Sequence, residues 1–196
     1  MAYENFGFEV DGDGIALITW DMPDRSMNVL SQGSMGDLAD IIEKIVGDDA
    51  IKGAVITSGK AAFCAGADLE EMGGNFDAVK DLMKTDPEAA KKQLFEGAFT
   101  LNKTFRAMET CGKPVAAAVN GLALGGGFEI VLACHARFGA SDNPSVKFGL
   151  PEALVGLLPG AGGTQRLPRL VGLMGASAVL LQGKQLSVSE AQGMGI

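Results

Sequence analysis

Two glutamates, Glu129 and Glu152, combine a reactive side chain with strongly apolar neighbours. Glu129 stands between Phe128 and Ile130, and Glu152 directly follows Pro151. Apolar surroundings are expected to raise the pKa of a carboxyl group, which suits proton transfer near neutral pH. Each also has a structural explanation. Glu129 could be a first-turn acid that favours the helix dipole, and for Glu152 the local pattern favours a capping role at a helix start.

Three successive glycines precede Glu129, in the segment 120–130 between an expected buried strand and an expected helix. Glycines at such a junction allow the backbone to approach a ligand closely. The unpaired N–H groups at a helix N-terminus carry partial positive charge. This segment could therefore stabilise a developing oxyanion, a large contribution in acyl-type reactions.

Two other segments have small residues where a ligand could meet the backbone. Segment 62–70 follows a strand, and its Asp68 could cap the next helix; an ordinary strand-to-helix turn is the alternative. Segment 159–167 superficially resembles a phosphate cradle, but Gln165 occupies the position where G-x-G-x-x-G needs glycine. Walker A residues are also missing, so the sequence does not support a nucleotide loop.

Composition excludes several other functions. The net charge is −8 without a basic stripe, which argues against nucleic-acid binding. His135 is the only histidine and no G-x-S-x-G motif occurs, which disfavours a Ser-His-Asp triad and a zinc site. The cysteines are expected to be reduced, buried thiols of a cytosolic protein: Cys64, Cys111 and Cys134. No signal peptide is evident, and a membrane span over 114–134 would bury Glu129.

The elements that must position these residues follow from periodicity and turn signals. Strands are predicted at Phe6–Val10, Ile15–Trp20, Lys52–Ser58, Val115–Val119, Arg137–Ser141 and Ser145–Phe148. Helices are predicted at Ser34–Val46, Phe76–Thr110 with a break near Pro87, Gly126–Cys134, Gly162–Leu170, Ala176–Leu181 and Val188–Gln192. This order predicts one α/β domain over 1–196. The sequence stops as a helix finishes, so we expect a fragment of a longer chain.

Taken together, four segments resemble the crotonase (enoyl-CoA hydratase/isomerase) superfamily in the expected order: 63–69, 113–129, 149–156 and 158–166. The resemblance implies an α/β fold, a crotonase-like (ClpP/crotonase) spiral of ββα units. C-terminal helices would normally follow, and we expect them to be truncated here.

The resemblance also implies roles that override the structural explanations of the two glutamates. The backbone N–H groups of Ala67 and Gly126 would form an oxyanion hole for an acyl-CoA thioester. Glu152 would exchange a proton with the α-carbon, and Glu129 would position and activate water. The result is syn hydration of a trans-2-enoyl-CoA in fatty-acid β-oxidation, without a metal or redox cofactor. The expected substrate-binding residues are Arg25, Ser26, Ala65, Asp68, Leu69 and Gly125.

Segments 20–30 and 133–137 are most similar to the multifunctional fatty-acid oxidation branch of the superfamily. That similarity implies a downstream dehydrogenase region, which alone would need NAD. It further implies a cytoplasmic protein, with a homo-oligomer or a thiolase complex for the full-length chain. A Δ3-Δ2-enoyl-CoA isomerase, another crotonase-type reaction and a non-enzymatic CoA- or RNA-binding scaffold are the alternatives.

Overall fold

A five-stranded sheet forms the centre of the fold, in a computed structural model that describes residues 3–196. Its strand order is β1-β2-β3-β4-β6; β1 and β2 form an antiparallel hairpin, and the remaining neighbours are parallel. Alternate residues of β2 point into the core, where Ala16, Ile18 and Trp20 are fully buried. The strands are β1 Phe6–Val10, β2 Ile15–Trp20, β3 Gly53–Ser58, β4 Val115–Val119 and β6 Ala136–Gly139.

A second sheet has three short strands in the order β5-β7-β8. Its strands are β5 Ala123–Leu124, β7 Lys147–Gly149 and β8 Leu186–Ser187. β5 runs parallel to β7, and β7 runs antiparallel to β8. The sheet is short, but β5 leads directly into the glycine segment and β7 ends just before Pro151. It therefore brings the regions of the two glutamates together.

The helices cover both the central sheet and this junction. They are α1 Gln32–Gly47, α2 Leu69–Thr85, α3 Pro87–Thr110, α4 Gly126–Ala133, α5 Gly163–Gln182 and α6 Val188–Met194, with a 3₁₀ helix at Pro151–Val155. α1 begins with a capping box at Ser31. α3 has proline at its first turn, where the missing N–H has no intrahelical acceptor to lose.

Most predicted elements are confirmed, including the hairpin, β4 and the break near Pro87. The start of α2 was wrong: it begins at Leu69, because the side chain of Asp68 accepts from the N–H groups of Glu70 and Glu71 and caps the helix there. The helices expected at Gly162–Leu170 and Ala176–Leu181 form one span, interrupted at Gly172 by a non-helical backbone. β5 and β8 have two residues each and were not predicted.

The three cysteines are unpaired thiols. Cys64 and Cys134 are buried as expected, and burial raises the pKa of each to about 12. Cys111 is only partly buried, which corrects the prediction for that residue. Its Sγ lies 3.3 Å from Met108 O and 3.2 Å from Lys113 O at the end of α3. Across residues 3–196, no helix has both the length and the apolarity to cross a membrane.

Candidate active site

A parallel bridge between Cys64 and Ala123 joins the two segments that were expected to supply the oxyanion donors. Cys64 N donates to Leu122 O, and Leu124 N donates to Cys64 O, each at 3.0 Å. Three residues beyond the bridge on each segment stand Ala67 and Gly126. The two predicted donors therefore occupy matching positions on adjacent, parallel stretches of backbone.

Neither donor N–H is used by another residue within 3–196. Leu30 pairs with the Ala67 segment by donating to Gly66 O and accepting from Asp68 N, which leaves the Ala67 N–H between them unpaired. Gly126 is the first residue of α4, where an N–H has no intrahelical acceptor. Two unpaired N–H groups, one at a helix N-terminus, are suited to bind an oxyanion.

The close approach of the two segments requires glycine at particular positions. Gly66 and Gly125 have φ values of +104° and +53°, which side-chain-bearing residues rarely adopt. A Cβ atom on Gly127 would lie 2.6 Å from Cys64 Cβ and 2.8 Å from Cys64 O. The close backbone approach that the glycine run predicts is thus confirmed at the contact between Gly127 and Cys64.

The Glu129 side chain is only 3% exposed and is held by backbone N–H groups. Its Oε1 accepts from Ala161 N at 2.8 Å and from Gly163 N at 2.7 Å. These donors belong to the glycine-rich segment that superficially suggested a phosphate cradle. The segment does bind an anion, but the anion is a carboxylate of the same chain.

Burial raises the pKa of Glu129 to about 7, and the nearby negative charge of Glu152 adds to the effect. The N–H groups of Gly163 and Ala161, and the positive charge of Arg166, act in the opposite direction. The effect of desolvation on the pKa is larger than these opposing effects, so the carboxyl gains or loses its proton close to neutral pH. This confirms the direction expected from its apolar neighbours.

We expect this carboxyl to make the fold more stable at lower pH. The folded-state pKa is about 7 and the ordinary value is 4.5, so the contribution is complete below about pH 4.5 and is lost as pH rises through about 7. The difference corresponds to about 3 kcal/mol. Gln at this position keeps an oxygen for the two N–H donors and never ionises. The unfolding free energy of Glu129→Gln, relative to wild type, should therefore rise between pH 5 and pH 8. A pH-independent difference would contradict the assignment.

Glu152 stands on the 3₁₀ helix, half-buried, on the other side of the glycines. A Cβ atom on Gly125 would lie 3.1 Å from Glu152 Oε1, and one on Gly126 would lie 3.9 Å from Glu129 Oε2. Within residues 3–196, Glu152 Oε2 is buried without a hydrogen-bond partner. Burial raises the pKa of this carboxyl as well. Two carboxyl groups thus flank the same pair of glycines.

The loop before α1 approaches the Ala67 segment through an ion pair. Arg25 Nη2 lies 2.7 Å from Asp68 Oδ2, while Asp68 Oδ1 caps α2. The N–H of Glu71, with help from Arg25, holds the pKa of Asp68 below its ordinary value. Asp68 therefore orders the loop and the helix start, and both its oxygens have partners in the chain.

The other predicted substrate-binding residues lie around this loop. Ser26, Ala67 and Leu69 are exposed, Ala65 is half-buried, and Gly125 is buried between the segments. Their contact with CoA stays a prediction. Asn28 was missed: it is fully buried, and its Nδ2 donates to Trp20 O, Ser58 Oγ and Phe63 O. A single asparagine in a polar loop gave no signal of this anchoring role.

The donors to Glu129 were also missed, although the sequence contained a usable signal. The glycine-rich run 159–163 did not fit a nucleotide motif because of Gln165, and it otherwise contributed only to the family resemblance of segment 158–166. Backbone N–H groups in such a run can bind any anion. Across residues 3–196, no three His, Cys, Asp or Glu side chains lie close enough together to hold a metal ion.

The sequence and the fold of this chain match a known family. A sequence model of the Enoyl-CoA hydratase/isomerase family matches residues 11–196, so the chain belongs to this family. The solved enoyl-CoA hydratase of Bacillus anthracis has a TM-score of 0.81 at 33% identity, covering 97% of this chain and 67% of that one. That of Thermoplasma volcanium has a TM-score of 0.80 at 30% identity, with 98% and 69% covered. The crotonase-like α/β fold is thereby confirmed.

Within the family, the chain is similar to fatty acid oxidation complex subunit alpha of two bacteria. It is 43% identical to that of Shewanella halifaxensis over 185 residues, which are 94% of this chain and 24% of the relative. It is 40% identical to that of Idiomarina loihiensis over 192 residues, or 97% and 25%. The chain spans about a quarter of the length of these relatives. The expected resemblance to the multifunctional branch is confirmed.

Proposed function

We propose that this chain hydrates a trans-2-enoyl-CoA thioester, adding water syn across the 2,3-double bond as a step of fatty-acid β-oxidation. One observation carries the proposal: Glu129 and Glu152 flank Gly125 and Gly126, next to the unpaired N–H of Ala67. The arrangement combines an oxyanion site with two proton-transferring groups. Its similarity to solved enoyl-CoA hydratases supports the same reaction.

In this proposal, the thioester oxygen accepts hydrogen bonds from the N–H groups of Ala67 and Gly126. These bonds withdraw electrons from the conjugated double bond and make the β-carbon electrophilic. They also stabilise the enolate-like negative charge that develops on the thioester oxygen. Because both donors are backbone groups fixed by the Cys64–Ala123 bridge, they need little reorganisation during the reaction.

The two carboxyl groups have different tasks. Glu129, ionised and fixed through Oε1, accepts a hydrogen bond from water at Oε2 and takes its proton as the C–O bond forms. Glu152, protonated, delivers a proton to the α-carbon. Glu129 gains one proton and Glu152 loses one. Transfer of one proton from Glu129 to Glu152 therefore restores the starting state. Neither step needs a metal or a redox cofactor.

The direct test is hydration of crotonyl-CoA by the full-length protein that contains this chain. Loss of the conjugated thioester absorbance measures the rate, and the reaction in D₂O gives the stereochemistry by NMR. We expect saturable hydration with deuterium and hydroxyl added to the same face. Isomerisation of a 3-enoyl-CoA without hydration, or RNA binding without acyl-CoA turnover, would overturn the proposal.

The pH dependence of hydration follows from the Glu129 carboxyl, whose pKa is about 7. Its ionised form is the one that accepts the water proton, so kcat should fall about tenfold per pH unit well below pH 7. Glu152 faces Glu129, and their coupling makes the observed value a property of the pair. Measuring kcat between pH 5 and pH 9 shows whether this fall occurs on the acid side. A profile that is flat from pH 5 to pH 8 would show that Glu129 does not act as this base.

The CoA part of the substrate would enter along the exposed side of the Ala67 segment. We propose that Arg25, which is held by Asp68 and is 48% exposed, meets a phosphate of CoA. Ser26, Ala65 and Leu69 complete this predicted surface. The similarity to fatty acid oxidation complex alpha subunits supports three further proposals for the full-length protein: an NAD-dependent dehydrogenase region, assembly as a homo-oligomer or with a thiolase, and a cytoplasmic location.

A further inference from the structure

The loop that holds Glu129 is itself held from outside by two helices. Ala161 and Gly163 donate to the carboxylate; Ala161 lies in the loop after the 3₁₀ helix, and Gly163 is the first residue of α5. Both of these hydrogen bonds come from backbone N–H groups. The position of the carboxylate therefore depends on whatever fixes that backbone.

Asn102 on α3 fixes one of the two peptide groups. Its Nδ2 donates to Gly160 O at 2.8 Å, and the N–H of the same peptide group is that of Ala161, which donates to Glu129. A hydrogen bond to the carbonyl of a peptide polarises its N–H and strengthens the bond that the N–H donates. Asn102 thus acts on Glu129 through a single peptide plane.

Arg166 on α5 fixes the next part of the loop. Its Nη1 donates to Ala161 O at 2.8 Å. Its Nε and Nη2 lie 3.2 and 3.3 Å from the two carboxylate oxygens of Glu109 on α3, a two-point contact that sets the orientation of the guanidinium plane. The Arg166 side chain is 12% exposed, so it occupies this position with little competition from water.

We propose that Asn102, Glu109 and Arg166 form an outer clamp that positions the Glu129 carboxylate through the 160–163 loop. The inference rests on the proposed hydratase function. The three are positioning residues, since their hydrogen bonds act on Glu129 through the backbone of residues 160–163. They belong to a groove between α3 and α5 of about 820 Å³, which is separate from the CoA-facing loop of Arg25.

Other charges face the clamp and must be considered in a pH profile. Arg106 on α3 lies 2.7 Å from Glu109, and Lys103 and Arg169 line the same groove. Glu152 faces Glu129 from the 3₁₀ helix. Removal of Arg166 takes away a positive charge and a loop contact together, so the control must remove only a charge. Arg169 provides it, because within residues 3–196 its Nη1 donates to Gln165 O alone, one turn earlier in the same helix.

The test compares Arg166→Gln with Arg169→Gln in the full-length protein, assayed with crotonyl-CoA. For Arg166→Gln we expect kcat to fall about 10–100-fold with KM within about threefold, and the acid limb of the pH profile to move to higher pH. Arg169→Gln should have the kcat, the KM and the pH profile of wild type. Arg166→Lys, which retains the charge but has a single donor nitrogen in place of the guanidinium fork, should give an intermediate kcat. Equal kcat and equal profiles for Arg166→Gln and Arg169→Gln would overturn the clamp.

Asn102→Leu keeps the test decisive if Arg166→Gln does not fold, because Asn102 is partly exposed and its loss leaves no charge unpaired. We expect about a tenfold lower kcat, an unchanged KM and a melting temperature near that of wild type. A wild-type kcat for Asn102→Leu would overturn the proposal. Wild-type protein without hydratase activity would instead contradict the proposed function, so the two failures are distinguishable.

Discussion

Glu152→Gln is expected to lower kcat for crotonyl-CoA hydration by about 10²–10⁴-fold, with KM changed by less than about threefold. Glutamine has nearly the same shape, but its amide cannot deliver an acidic proton to the α-carbon. The unpartnered Glu152 Oε2 makes no hydrogen bond within residues 3–196, so the substitution breaks no contact there. Steady-state kinetics measure the effect, and a melting curve checks that the fold is unchanged.

Glu88→Gln is the matched control for this prediction. Glu88→Gln is the same chemical change on α3, where the Glu88 side chain is 83% exposed. Within residues 3–196 its one salt-bridge partner is Lys91. Its kinetics should equal those of wild type. Glu129→Gln should also lose activity, because the amide cannot accept the water proton. Near wild-type rates for both Glu129→Gln and Glu152→Gln would refute the mechanism.

Gly127→Ala is expected to destabilise the fold. The added Cβ would lie 2.8 Å from Cys64 O, a backbone atom, and 2.9 Å from Cys64 Sγ. Relief requires α4 to move away from the Cys64 strand, which we expect to destabilise the fold by about 1–3 kcal/mol. A fall in Tm of roughly 2–12 °C corresponds to this range. The same movement separates Ala67 from Gly126, so kcat should fall as well.

Gly36→Ala is the same chemical change, and we expect it to stabilise the fold instead. Gly36 lies inside α1, exposed, and a Cβ atom there meets nothing within 4 Å. Alanine has less backbone freedom to lose than glycine in a helix, so we expect a gain of about 0.5–1 kcal/mol. Thermal unfolding of both variants separates the contact with Cys64 from the general effect of replacing glycine. A Gly127→Ala melting temperature as high as that of Gly36→Ala would refute the close-packing argument.

Local sequence signals identified the elements whose patterns are complete within the segment. The apolar pattern of the hairpin β1–β2 and of strand β4 is strong enough to predict these strands from their own segments. β5 and β8 could not be predicted, because two residues carry no period and their pairing with β7 is a tertiary contact. The start of α2 was missed for another reason: Asp68 was noted as a cap, but its helix was not extended back to Leu69.

The site was predicted in a different way. Composition and periodicity alone left Glu129 and Glu152 with structural explanations, and the ordered resemblance resolved the choice. Geometry then added what neither could supply: two donors on Oε1 of Glu129 and the matching positions of Ala67 and Gly126. Donation by backbone N–H groups is independent of the side chain at 161. The glycine run 159–163 indicated a backbone able to bind an anion. The residue type at 161 could not indicate that Ala161 is one donor, nor that the anion is Glu129.

The Cys64–Ala123 bridge sets the spacing of Ala67 and Gly126 locally, by two hydrogen bonds beside them. The long helical hairpin of α2 and α3 separates these residues along the chain but takes no part in that spacing. Insertions or deletions at its corner, around Asp86, would change the length of the hairpin while the donors keep their register. Length changes among related chains can accordingly accumulate at this corner, far along α3 from Asn102 and Glu109, without altering the oxyanion donors.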